Sequence, residues 1–301
     1  MASRAAAPST STAFAVAALG IALFSLMDAL MKGLSLAIGT YNALLWRTGA
    51  GAAMAGVVFL VCRSSRPAPG AMRFHLIRGS MSSIMAILFF WGLARVPMAQ
   101  AIALAFVAPL ISLYLAAILL HERIERRAIL ASLLGFAGVT VILAGQAEAE
   151  LGREALLGSL AILGSAGFYA WNIILMRQQA QVAGPVEIAF FTSLIMVGCF
   201  LIAAPVLAVV PPKEHLPEIV GAAALAFGSL LLLSWAYARA EAQHLAATEY
   251  TGFLWASLFG FLFFSEPVRP LTLVGAAMIV LACFLAARPR GAPLPGVEAG
   301  V

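Results

Sequence analysis

Charge is what this 301-residue chain has least of: Asp, Glu, Lys and Arg together make up 10% of it, against 63% hydrophobic residues and a mean hydropathy of +1.01. A soluble domain is about a quarter charged and could not hide this much apolar surface, so a water-soluble globule is excluded. Cysteine is also scarce. Cys62, Cys199 and Cys283 each lie within or at the edge of an apolar run, with no paired spacing for a disulfide or metal framework. The four histidines (His75, His121, His215 and His244) stand apart near segment ends, and none belongs to an HExxH spacing. Neither a metal site nor a cofactor is expected. A GxxxxGK[ST] nucleotide loop is missing as well.

What the chain does have is long apolar runs. A bilayer-spanning helix needs roughly 17 to 25 such residues. Breaks at charge, Pro and Gly clusters divide the sequence into ten runs, at roughly 13–31, 42–62, 74–94, 98–119, 127–145, 156–176, 186–209, 217–238, 245–264 and 270–287. The first run follows Arg4 and a Ser/Thr stretch as a signal peptide would, but nine more runs follow, so it is expected to be a retained helix. Residues 1–12 and the Pro- and Gly-rich 288–301 are expected to be cytoplasmic tails, with short connections elsewhere.

The formal net charge of +5 would suggest nucleic acid in a soluble protein, but here the basic residues fall between apolar runs, where they set orientation. With the N-terminus inside, cytoplasmic segments hold Arg4, Arg63, Arg66, Arg73, Arg123, Arg126, Arg127, Arg177, Arg239, Arg288 and Arg290. The outer loops hold Lys32, Arg95, Arg153, Lys213 and Arg269. Eleven against five is the bias that cytoplasmic loops show, and it places both termini in the cytoplasm. The expected location is the inner membrane of a bacterial-type cell, with the lipid bilayer as partner and no nucleic acid. A monomer would suffice.

Sliding the sequence against itself by 144 residues pairs Gly20 with Gly164, Phe24 with Phe168, Trp91 with Trp235, Arg95 with Arg239 and Glu122 with Glu266, without a gap. With only five tryptophans in the chain, this is not compositional coincidence. Residues 13–145 and 156–287 thus read as two repeats of five spans. An odd number of spans forces the second copy into the membrane upside down. The fold class is therefore an all-α integral membrane protein: ten transmembrane helices as two inverted five-helix repeats. Such a pair has two states of similar energy, open to opposite sides.

The run from Ala101 to Glu122 (AIALAFVAPLISLYLAAILLHE), then Gly135-Phe-Ala-Gly138-Val, and the second copy from Ala247 to Glu266 with Gly275 beyond it carry a resemblance over nearly the whole chain. The chain resembles the drug/metabolite transporter superfamily, in particular its EamA-type ten-helix exporters. Family motifs usually place Gly before the helix-ending Glu; this chain has His121 and Ser265, so the turn there is expected to differ. In size and layout the chain is similar to bacterial amino acid exporters of the YddG type. The resemblance implies a secondary transporter exporting small metabolites by alternating access, with amino acids, aromatic ones included, as the preferred class.

Asp28 and Arg47 fall at a shared depth near the outer ends of the first two spans, where ionisable groups are costly and tend to pair or face a polar cavity. A zwitterionic substrate could join them, amine to Asp28 and carboxylate to Arg47; a purely structural pair or snorkelling to the headgroups is the competing reading. Glu249 enters the ninth span from the cytoplasmic side where the first repeat has Ala105, and is the candidate for proton coupling; Arg78, at similar depth in the third span, could instead neutralise it. Among the aromatics, Trp91 and Trp235 fit interfacial belts, whereas Phe106, Tyr169, Trp171 and Tyr250, with Asn172, are cavity candidates. Pro109 removes one backbone hydrogen bond and can kink the fourth span.

Drugs, nucleotide sugars and other metabolites are alternative cargoes. A membrane-embedded enzyme is the alternative from another class, but it needs clustered carboxylates, a nucleophile with its base, or metal ligands at one depth, and the carboxylates here are dispersed.

Overall fold

In the computed structural model, residues 10–62, 67, 69–120, 126–148, 152–179, 181–237, 239 and 248–287 are described. The chain forms α1 (Thr10–Ile38), α2 (Thr40–Val61), α3 (Pro69–Leu93), α4 (Met98–Ala105), α5 (Ala108–Leu120), α6 (Arg126–Glu148), α7 (Gly152–Gln179), α8 (Pro185–Leu207), α9 (Leu216–Tyr237), α10 (Thr251–Phe264) and α11 (Pro270–Ala287). Six of these helices are long and apolar enough to cross a bilayer. The shorter apolar stretches Met98–Ser112, Ile129–Gly145, Thr251–Phe264 and Pro270–Leu285 bring the described spans to ten.

Below, the first face is the end of the bundle where α1 gives way to α2, and the second face is the end where α2 gives way to α3. The repeats interleave. α1 packs on α9 and, symmetrically, α3 on α7, while α2 meets α8, α4 meets α10 and α6 meets α11. Every helix thus leans on a helix of the other repeat, and the principal buried apolar cluster draws on both. Two of these crossings are backbone to backbone. A Cβ on Gly92 would lie 2.5 Å from the Gly158 carbonyl oxygen, and one on Gly138 2.7 Å from that of Gly275. Small residues let helices approach this closely in lipid, where hydrophobic burial drives little association.

The inverted symmetry reaches individual side chains. Arg95 Cζ lies 3.6 Å from the Trp91 ring centre and its Nη1 donates to the Trp91 carbonyl at 3.0 Å. Arg239 repeats both contacts with Trp235, at 4.3 Å and 3.1 Å. Each arginine caps the end of its helix by turning back over an aromatic ring, a cation–π arrangement.

Three expectations need correction. The first span does not stop at residue 31: α1 runs on to Ile38, and Lys32, counted above as an outer-loop charge, is 3% exposed inside the bundle. The fourth span is two helices, interrupted at Phe106–Val107. Pro109 sits in the first turn of α5, where its missing N–H costs nothing. The turn before Glu266 does not differ despite the missing glycine. Ser265 itself adopts φ 54°, and the Glu266 N–H closes onto the Gly260 carbonyl at 3.1 Å, as a glycine-terminated helix end would. Glu122, His121, His244, residues 1–9 of the expected 1–12 tail and the whole of 288–301 lie outside the described residues, while residues 10–12 belong to α1.

Candidate functional site

α7 shows two exposed sides with different meanings. Leu157, Leu160, Gly164 and Trp171 form one stripe at helical spacing, open along its length, which is the lipid side. Tyr169 and Met176 are 42% and 43% exposed, yet on the helix surface they lie between the buried Ile162, Ser165 and Asn172. Tyr169 is also in electrostatic range of Arg78 from α3 and of Glu249 ahead of α10. Its exposure is therefore to space inside the bundle. Trp171, expected beside Tyr169 and Asn172 in a cavity, lies instead on the lipid stripe; one residue along a helix is a 100° turn.

The same face of α1 is shut. Ser25, Asp28, Lys32 and Ser35 stand 144 residues before Tyr169, Asn172, Met176 and Gln179, and all four are buried. The interior is thus sealed toward the first face and accessible on the second-face half.

The seal is ionic. Lys32 Nζ donates to the Val96 carbonyl at 2.7 Å and pairs with Glu266, whose other oxygen accepts the Met98 N–H at 2.8 Å. Lys32 also faces the Phe264 ring, 5.1 Å from its centre. One carboxylate from the second repeat thereby ties together α1 and the start of α4 from the first. Above it a recess of about 300 Å³, lined by Leu36, Arg95, Pro97 and Phe264 among others, opens at the first face.

Below the seal lies Asp28, 1% exposed, with neither carboxylate oxygen hydrogen-bonded. Arg47 is part-buried: its Nη1 contacts Met27 Sδ at 3.7 Å, its Cζ lies 5.9 Å from the Phe90 ring, and its Nε has no partner. Asp28 and Arg47 feel each other electrostatically without forming an ion pair. Unpaired buried polar groups of this kind cost about 1–3 kcal/mol each, more when charged, and are rare without a reason.

At mid-depth, Phe106 and Tyr250 cross edge-on, ring centres 5.3 Å apart, and Tyr250 rests on Phe284 at 5.1 Å. Cys283 Sγ contacts the Phe106 carbonyl at 3.4 Å. Glu249 is exposed one residue ahead of this break. α10 spans about 21 Å from here to the first face, so Glu249 lies deeper than an entry position on the second-face surface.

Toward the second face, Arg78 Nε donates to Asn172 Oδ1 at 3.0 Å and Nη1 to Gln179 Oε1 at 2.7 Å. Its hydrogen bonds go to these amides rather than to Glu249. Gln179 meets His75 at 2.7 Å, and His75, fully buried, reaches Glu187 at 2.9 Å and stacks on Phe191. Of these, Lys32, Glu266, His75, Gln179 and Glu187 were absent from the expected site. The i, i+3 pair His75/Arg78 and the i, i+7 pair Asn172/Gln179 were the available signal. Among the described residues no three His, Cys, Asp or Glu side chains gather as a metal would require.

Comparison with known proteins agrees with this architecture. The EamA-like transporter family matches twice, over residues 11–144 and 156–288. A pseudopaline exporter of Pseudomonas aeruginosa is 28% identical over 280 residues, 89% of this chain and 93% of its own. An uncharacterized transporter of Helicobacter pylori is 26% identical over 72% of this chain and 73% of its own. A solved crystal structure shares the fold at a TM-score of 0.60, with 21% identity, covering 93% of this chain and 98% of that one. Two inverted five-helix repeats, each matched by the family model, make this chain a member of the EamA-like transporter family, a multi-pass membrane transporter of the drug/metabolite transporter superfamily.

Proposed function

We propose that this transporter exports small zwitterionic metabolites, amino acids foremost, across a bacterial-type inner membrane by alternating access. The observation that carries the reading is the pair Asp28 and Arg47: an acidic and a basic side chain inside one bundle, in electrostatic range of each other, with unsatisfied carboxyl oxygens and an unsatisfied Nε. A substrate ammonium would complete Asp28 and a substrate carboxylate would complete Arg47 by charge-assisted hydrogen bonds. Phe106, Tyr250 and Tyr169 would bound the space for an apolar or aromatic side chain.

In the sequence Arg63 and Arg66 follow the end of α2 and Arg73 comes early in α3, and by the positive-inside bias this supports a cytoplasmic second face with both termini in the cytoplasm. The accessible half of the interior then faces the cytoplasm, as an exporter awaiting cargo needs. Glu249, exposed at the mid-depth break beside Tyr169 and Tyr250, is the group through which protons would couple to export.

A second reading, export of a metabolite other than an amino acid, is favoured by the name of the Pseudomonas relative, a pseudopaline exporter. Uptake of radiolabelled amino acids into liposomes holding the purified protein separates the two. Saturable uptake competed by aromatic amino acids, with pH dependence lost in Glu249→Gln, supports amino acid export. A folded protein that moves no amino acid turns the assignment to other metabolites.

A further inference from the structure

Arg78 stands about 14 Å of helix rise in from the second face. A guanidinium at such depth ordinarily ends on a carboxylate. Here its hydrogen bonds run to the amide oxygens of Asn172 and Gln179, which hold its position and leave its charge in place. Among the described residues no ion pair of Arg78 is formed. The support is rigid at one more remove, because Gln179 is fixed through its amide nitrogen by the buried His75, which in turn takes up the Glu187 carboxylate. That carboxylate is thereby engaged by His75. Two of the five guanidinium N–H groups are used, and three remain. Arg78 is only part-buried and interacts with Tyr169, which opens on the interior space, so those donors belong to the accessible half of the bundle.

Arg47 lies far from this place. Its guanidinium rests on Phe90, 12 residues further along α3, about 18 Å of rise. The ammonium and carboxylate of a free amino acid are a few ångströms apart, so one molecule does not reach both cations.

We infer that Arg78 is a separate carboxylate-binding station, the first that a substrate entering from the second face meets, from which it passes to the Arg47–Asp28 pair. The inference rests on the reading of the cargo as small carboxylate-bearing molecules, and it adds a requirement: the carboxylate must be free when the molecule enters. An ester or an amine of the same shape has nothing to offer three unpaired N–H donors.

The test is modification of Arg78 by phenylglyoxal in the reconstituted full-length protein, read residue by residue by mass spectrometry, with phenylalanine, glutamate, diglycine, acetate, phenylalanine methyl ester or phenethylamine present. The expected result is at least about fivefold slower modification of Arg78 with the carboxylates and no slowing with the ester or the amine. Arg78→Gln should raise KM for the transported amino acid about 10- to 100-fold with Vmax little changed and Arg78→Lys recovering part of it, whereas Arg47→Gln should lower Vmax. Equal protection by the ester, or protection by no carboxylate, overturns the station; the wild-type measurement stands even if a variant does not fold. Transport in the same vesicles separates the two claims. Amino acids that move without protecting Arg78 sink the station alone, and protection by acetate or diglycine where no amino acid moves sinks the amino acid reading alone.

Discussion

Phe106 and Tyr250 occupy the same place in the two repeats, 144 residues apart, and their rings meet edge-on with centres 5.3 Å apart at mid-depth in the bundle. Each stands where its span breaks, so the pseudo-twofold relation of the halves passes through this contact. An edge-to-face pair is worth about 0.5–1.5 kcal/mol beyond its buried area, enough to favour one arrangement of the two breaks over another.

Tyr250→Phe keeps both ring contacts and is expected to transport at near wild-type rate. Tyr250→Ala removes the contacts with Phe106 and Phe284 together and should cut the initial rate about tenfold or more, with a loss of about 3–5 kcal/mol in stability. Initial rates in liposomes and thermal melts in detergent check both.

Lys32 and Glu266 seal the first face across the repeats. The position corresponding to Lys32 in the second repeat is Met176, so the opposite face has no copy of this lysine. Breaking a buried pair from one side costs about 3–5 kcal/mol, because the surviving charge is stranded. Lys32→Met should therefore shift the protein toward the state open at the first face, by at least about 100-fold in population. The check is labelling of Ser35→Cys by an impermeant maleimide in a background without Cys62, Cys199 and Cys283. Ser35 is buried in the sealed state, so labelling should accelerate in Lys32→Met. Unchanged labelling would mean that the pair is structural only.

Gly138 and Gly275 bring α6 and α11 into backbone contact, and each Cβ would fall within 2.7 Å of the other's carbonyl oxygen. Backbone cannot yield as a side chain can. Gly138→Ala and Gly275→Ala should each destabilise by about 1–3 kcal/mol, read as a lower melting temperature. Gly49→Ala, with nothing within 4 Å of the added carbon, is the matched control and should be neutral or slightly stabilising.

Ser265 holds φ 54° at the end of α10, a conformation that costs a side chain about 1 kcal/mol and glycine nothing. Ser265→Gly should stabilise the protein by a few tenths to 1 kcal/mol without altering transport, since the Glu266 contacts depend on the backbone turn. A melt and a rate measurement on one preparation decide it.

Much of the fold was legible in the sequence, because lipid leaves the backbone few options and rare residues repeat at one offset. Trp91 and Arg95 returning as Trp235 and Arg239 announced a pair of helix ends that are alike down to their ring contacts. What stayed hidden depends on partners far apart in the chain. Lys32 read as the end of a span because its charge interrupts an apolar run; its partner is 234 residues away. The break at Phe106 had a visible cause in Pro109, but its counterpart at Tyr250 has Phe253 in that position and breaks nonetheless. Trp171 was a failure of periodicity, since its stripe with Leu157, Leu160 and Gly164 is written in the spacing. The His75–Gln179–Glu187 chain joins three helices that no local pattern brings together.

The exchange of partners, α1 with α9 and α3 with α7, means that neither half of the chain owns a complete core. The molecule is in effect a dimer of oppositely inserted five-helix units written on one strand. A gene cut after Glu148 should therefore give two fragments that are each degraded when made alone, yet reassemble into a working transporter when made together, the covalent joint serving chiefly to fix their equal number and their opposite insertion.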